Sequence, residues 1–219
     1  MQLHANWQHF TLKNIKRCFY LYYLCTAKQK HLKRKKLMSN NNNHKLGEAP
    51  WLHVVISTGF GIGFWPWGPG TLGGFVALLI WIALYYALSP LWLCIATVVL
   101  VLGSLFVGVW TDNVMERYWG ADPRAVIIDE YFGTWVATSA ALFADGPAYI
   151  PVSLATLGFV MFRAIDITKP LGCRWVDRNI HGGWGCMLDD ALAAFYAIIV
   201  VLAVRFTHLV EIVHDWLIG

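Results

Sequence analysis

Charge is scarce in this chain. Only 14% of its 219 residues are Asp, Glu, Lys or Arg, 58% are hydrophobic, and the mean hydropathy is +0.51. A soluble domain is about a quarter charged, so the composition argues against a soluble globule and for an integral membrane protein. Cysteine is sparse and unpatterned. Cys18, Cys25, Cys94, Cys173 and Cys186 are odd in number and form no C-x-x-C pair, which argues against a disulfide framework and for reduced thiols. Strand-like alternation is missing from the apolar runs. Gly59, Gly61 and Gly63 mimic a dinucleotide fingerprint, but no βαβ unit surrounds them, and a bare G-x-G pattern is weak. The apolar patch 18–25 is too short to span a bilayer, and no small-residue cleavage site follows it, so no signal peptide is read.

The scarce charge is unevenly placed. Residues 1–50 hold ten Lys/Arg and one acid, Glu48, whereas 51–219 hold seven Lys/Arg and twelve Asp/Glu. The expected domain organisation is a basic, disordered extension over 1–49, able to rest on anionic lipid, followed by an acidic membrane domain over 50–219. Met38 is a second candidate start. Nucleic-acid binding fits poorly, because no folded domain presents the basic run 28–36.

Apolar runs cover 72–88, 91–110, 125–143, 148–165 and 191–204. Only helices or closed barrels can span a bilayer, and these runs are continuous, so the fold class is all-α: a multi-pass helical membrane protein with about five short spans. The stretch 112–124 is expected as a polar loop, and 205–219 as an amphipathic tail. With the basic N-terminus placed inside, span parity brings every charged cluster to the cytoplasmic face. Pro69-Gly70-Thr71 precedes the first run, with Thr71 as an expected helix N-cap and N–H groups able to hold an anion.

The densest charge lies in 163–190, which holds four Asp, three Arg, one Lys and one His. Arg163, Asp166 and Lys169 share a helical face. Asp177 and His181, like Arg174 and Arg178, are spaced i, i+4, as in a short interfacial helix. Asp189-Asp190 is expected to open the last span, and Asp129-Glu130 sits one turn into the third. Hard ions such as Mg²⁺ take carboxylates together with phosphate oxygens and water. Asp129, Glu130, Asp166, Asp189 and Asp190 are therefore the candidate metal ligands. Arg163, Lys169 and Arg178, with N–H groups near Thr58 and Thr71, are the candidate phosphate-binding groups. His181 is a candidate general acid. Together these point to phosphoryl chemistry at a membrane face. No Cys has Arg six residues on, no D-x-D follows a strand, and no S-G-H element occurs, which removes three other phosphatase chemistries. The competing class is a transporter or channel with an intramembrane acidic ion site.

The motifs T-G-F-G (58–61), P-G-T-L-G (69–73), I-D-E (128–130), F-R-x-x-D-x-x-K-P (162–170) and W-x-D-R-N-x-H-G-G-x-G-x-M-x-D-D (175–190) resemble the phosphatidylglycerophosphatase A family over roughly 50–206. The resemblance implies a Mg²⁺-dependent enzyme of the bacterial inner membrane. It implies removal of phosphate from phosphatidylglycerophosphate to give phosphatidylglycerol, a step of glycerophospholipid metabolism. Its implied partners are that lipid and the bilayer, with no nucleic acid.

Overall fold

The apolar runs become helices, and among the described residues no strand occurs. The computed structural model describes residues 49–120, 123–170, 172–180 and 182–218. The basic extension expected over 1–49 lies outside them except for Ala49, and so does His181. The side chains of Asp177 and Arg178 lie outside them too. In chain order the helices are α1 (Trp51–Ser57), α2 (Pro69–Ala87), α3 (Pro90–Trp119), α4 (Ile128–Thr138), α5 (Tyr149–Thr168), α6 (Cys173–Asn179), α7 (Gly183–Phe206) and α8 (Leu209–Ile218). Short 3₁₀ turns lie at Ile62–Phe64 and Ser139–Phe143.

Four of the expected runs form α2, α3, α5 and α7, each long and apolar enough to cross a membrane. The third run differs. It gives an 11-residue α4 followed by the five-residue 3₁₀ turn. At the usual rises of the two helix types the pair is about 26 Å long, a little short of a ~30 Å hydrocarbon core. Hydroxyls explain the tightening. Thr138 Oγ1 donates to Trp135 O at 3.2 Å and Ser139 Oγ to Val136 O at 2.7 Å, and such back-bonding competes with the α-helical ladder. Eight of the 11 residues of α4 are buried, so it is the central helix and the longer helices pack around it.

Two helix starts and one helix end depart from expectation. Gly68, with φ 64°, is the N-cap of α2 and Pro69 is its first residue. Thr71 therefore sits inside the first turn, because proline's fixed φ suits the opening position. Helix α3 runs on to Trp119, so most of the expected 112–124 loop is helical, and Asp112 is buried. Helix α7 begins at Gly183, whose N–H donates to Asn113 Oδ1 at 2.9 Å. Asp189 and Asp190 thus lie in its second turn, beyond the reach of most of the helix dipole.

Packing sets the directions. Trp135 Nε1 donates to Ala77 O, and Trp81 Nε1 to Thr97 Oγ1, both at 3.1 Å. Gly133 lies flat against the Phe162 ring, where a Cβ would overlap it, and Gly158 meets the backbone of Ala137. Helix α4 therefore runs parallel to α2 and antiparallel to α5. Gly108 packs on Met187 and Gly183 on the Val109 backbone, so α3 is antiparallel to α7. The polar ends of α2, α4, α5 and α7 consequently meet at one end of the bundle.

Candidate active site

The site is assembled from helix ends. The last turns of α5 carry Arg163 and Asp166. Lys169 follows as the C-cap of α5, with φ 46°, and its N–H bonds Ile165 O at 2.7 Å. This left-handed bend, followed by Pro170, stops the helix. It also lets the side chain turn to α7, where Lys169 Nζ pairs with Asp189 Oδ2. On the other side, Arg163 Nη1 bridges Glu130 Oε2 and Asp166 Oδ2, the latter at 2.9 Å, and Nη2 lies 3.5 Å from Thr71 Oγ1. Arg163 thus joins α2, α4 and α5.

Asp166, Asp189 and Asp190 form the core of the site. One carboxylate oxygen from each lies within 4.8 Å of the others. Asp189 and Asp190 are only 4% and 5% exposed, and Asp190 Oδ2 is buried with no hydrogen-bond partner among the described residues. Asp129 adds its charge to the field at Asp190 alongside Asp166 and Asp189, with Lys169 opposing. Burying ionised carboxylates is costly unless they are paired or bind metal. Five acids, Asp129, Glu130, Asp166, Asp189 and Asp190, face two cations, Arg163 and Lys169. That leaves three negative charges among these seven residues. An all-oxygen donor set with an orphaned buried oxygen and surplus negative charge fits a hard divalent cation.

The other expected residues fall around this core. Asp129 Oδ1 accepts the Glu130 N–H at 3.0 Å. Glu130 turns to Arg163 and Thr71's side of the site, and lies outside the three-carboxylate group. Gly70 makes this approach possible, since a Cβ there would overlap the Glu130 carboxylate. Thr58 is fully buried; its hydroxyl donates to Val54 O at 2.6 Å and accepts the Gly61 N–H at 3.1 Å. The N–H groups of Gly59, Phe60, Ile62 and Gly63 bond backbone carbonyls. The Thr58 turn therefore spends its donors on itself. Near Thr71, by contrast, Gly70 and Thr71 occupy the first helical turn, where N–H groups have no intrahelical partner. The expected roles of His181 and of the Arg178 side chain fall outside the described residues.

Sequence reasoning named Pro69-Gly70-Thr71 for its N–H groups but not the clearance that Gly70 gives Glu130, and it passed over Asn113. Asn113 gave no signal, because its role depends on α3 and α7 meeting in space. Cys173 is fully buried beside Phe162 and Ala193. Burial and the Asp189 charge push its thiol up, and the countering effect of Lys169 is smaller.

The phosphatidylglycerophosphatase A family model matches residues 55–205. A Bacteroides thetaiotaomicron protein, provisionally named a phosphatidylinositol-3-phosphatase, is 41% identical over 155 residues, covering 71% of this chain and 94% of that protein. Phosphatidylglycerophosphatase A of Escherichia coli K12 is 34% identical over 145 residues, 66% of this chain and 77% of its own length. The Haemophilus influenzae protein of the same name is 28% identical over 170 residues, 78% and 98% respectively. No solved structure matches significantly.

Proposed function

We propose, because this chain belongs to the phosphatidylglycerophosphatase A family, that it hydrolyses the phosphomonoester of phosphatidylglycerophosphate, releasing phosphate and leaving phosphatidylglycerol. Its setting in this reading is the bacterial inner membrane, with the site facing the cytoplasm. The observation that carries the reading is the Asp166–Asp189–Asp190 group, with Asp189 and Asp190 buried, at the polar end of membrane-length helices. A transporter reading calls for ionisable groups near mid-membrane in interrupted helices. Here they sit at the end of α5 and the start of α7, and the relatives with names are phosphatases.

Mg²⁺ is the proposed cofactor, held by Asp166, Asp189 and Asp190, with Asp129 adding negative charge nearby. A divalent cation bound there supplies charge compensation for a phosphate and a coordinated water of lowered pKa. The chain's own residues do the rest. Arg163 and the first-turn N–H groups of Gly70 and Thr71 seat the phosphoryl oxygens. Glu130 and Asp166 hold the guanidinium fork in place. Lys169 fixes Asp189 and offsets the charge of the acid group. In hydrolysis a water oxygen bonds phosphorus as the P–O bond to the headgroup glycerol breaks. His181 is the proposed donor of the proton that this glycerol oxygen takes up. Helices of spanning length keep the diacyl portion in lipid while the headgroup reaches the polar end.

The 41%-identical relative favours a second substrate, phosphatidylinositol 3-phosphate, which presents the same phosphomonoester on a different polyol. Purified protein in lipid nanodiscs, given each lipid with and without Mg²⁺, separates the two. The expected result is Mg²⁺-dependent phosphate release, faster from phosphatidylglycerophosphate. Faster release from the inositol lipid would transfer the assignment, and release from neither would remove it.

A further inference from the structure

An apolar groove runs down the outside of the bundle between α3 and α4. It is a shallow depression of about 230 Å³, open to the outside and lined by Val99, Leu100, Gly103, Ser104, Val107, Ile128 and Trp135. The Ser104 hydroxyl bonds the carbonyls of Leu100 and Val101 at 2.7 and 3.1 Å, so the groove wall offers no unmet polar group there. A Cβ added at Gly108 would lie 3.5 Å from Ile128 Cγ2, which puts the 107–108 end of α3 level with the start of α4. The groove therefore begins at Ile128, next in sequence to Asp129, and descends about 12 Å along α3 by helical rise to Val99 and Trp135.

Gly103 is the telling residue. It sits in the interior of a 30-residue helix, where Gly is less favourable than Ala. A Cβ there would meet nothing within 4 Å, so no neighbour in the fold requires its absence. Elsewhere the bundle uses glycine for close packing, as at Gly108 and Gly133, where an added Cβ would collide with Met187 and Phe162. At Gly103 the missing side chain only keeps the groove open.

We propose that this groove is an acyl-chain subsite, holding one fatty-acyl chain of the lipid whose phosphate sits at the acid cluster. The inference rests on the lipid-phosphatase reading. Three observations select the occupant. The groove is apolar, it lies on helix α3 of spanning length, and its upper end lies level with the start of α4, where Ile128 precedes Asp129. A hydrocarbon chain joined to a phosphorylated headgroup has this shape and polarity. The groove makes Gly103, Ile128 and Trp135 determinants of chain recognition rather than participants in bond breaking.

The test uses the full chain in nanodiscs with two variants. Gly103→Leu fills the groove, and Gly103→Ala leaves most of it open while favouring the helix. Photolabelling with a diacyl glycerophosphate carrying a mid-chain diazirine reads occupancy without turnover. Adducts on 99–107 or 128–135 are expected in the wild-type and Gly103→Ala proteins and are expected to be lost in Gly103→Leu. In phosphate release, kcat/KM for a long-chain phosphatidylglycerophosphate should fall about tenfold in Gly103→Leu through lost van der Waals packing, since the displaced chain remains in lipid. The value for a dihexanoyl substrate should stay near wild type. Adducts spread evenly over the lipid-facing helices, or equal losses on both substrates, would overturn the proposal. If the wild-type protein released phosphate from neither substrate, the hydrolase reading would fail, and the photolabelling would still decide the groove.

Discussion

Lys169 shows local preference yielding to site chemistry. Its left-handed backbone, φ 46°, costs a non-glycine residue roughly 1–2 kcal/mol, and the position after a helix end favours Gly or Asn. A lysine persists there because its ammonium meets the buried Asp189. Gly70 shows the reverse case, in which a side chain is excluded so that a neighbour can approach. Gly70→Ala should favour the α2 helix by propensity, by up to ~1 kcal/mol, while its methyl displaces the Glu130 carboxylate from Arg163. Thermal stability in detergent is expected to hold and phosphate release to fall about tenfold, equivalent to ~1.4 kcal/mol of barrier. Wild-type turnover with a shifted Glu130 would remove this acid from the working site.

At the scale of elements, α4 matters most. It is short, central and built for close approach, with Gly133 against Phe162. Gly133→Leu should cost about 1–3 kcal/mol through overpacking, lowering the unfolding temperature in detergent; an unchanged midpoint would mean that α4 and α5 are more loosely joined. The helical runs were legible in the sequence because unbroken apolar stretches have one structural solution in a bilayer. The length of α4 was not, because the back-bonding of Thr138 and Ser139 shows only once the carbonyls are in place. The true start of α7 was hidden for a similar reason. Asp189-Asp190 was expected to open the last span, whereas Asn113 of a distant helix satisfies the first N–H of α7 at Gly183. The charged residues of 163–190 were conspicuous from composition alone. Their split into an Arg163–Glu130–Asp166 bridge and a Lys169–Asp189 pair required knowing which helix ends meet.

For the whole molecule, the balance of charge is the governing quantity. A bundle that exposes many large apolar side chains on its outer helices gathers Asp129, Glu130, Asp166, Asp189 and Asp190, with Arg163 and Lys169, at one end. Span parity anticipated that gathering, because each reversal of the chain returns a charged segment to the same face. The surplus negative charge should make the fold sensitive to divalent metal. Mg²⁺ at ~100 times its dissociation constant is expected to stabilise the folded protein by about 2.7 kcal/mol, seen as a rise in unfolding temperature. Asp190→Asn should abolish most of that rise, and an equal rise in both proteins would place the metal elsewhere.

The most direct measurement is phosphate release from phosphatidylglycerophosphate by Asp190→Asn protein that inserts and unfolds like wild type, assayed across a Mg²⁺ titration. Loss of an essential carboxylate ligand predicts a fall of at least ~10²-fold that added Mg²⁺ does not restore. Turnover near wild type at the same Mg²⁺ concentration would contradict the assignment of Asp166, Asp189 and Asp190 as the catalytic metal centre.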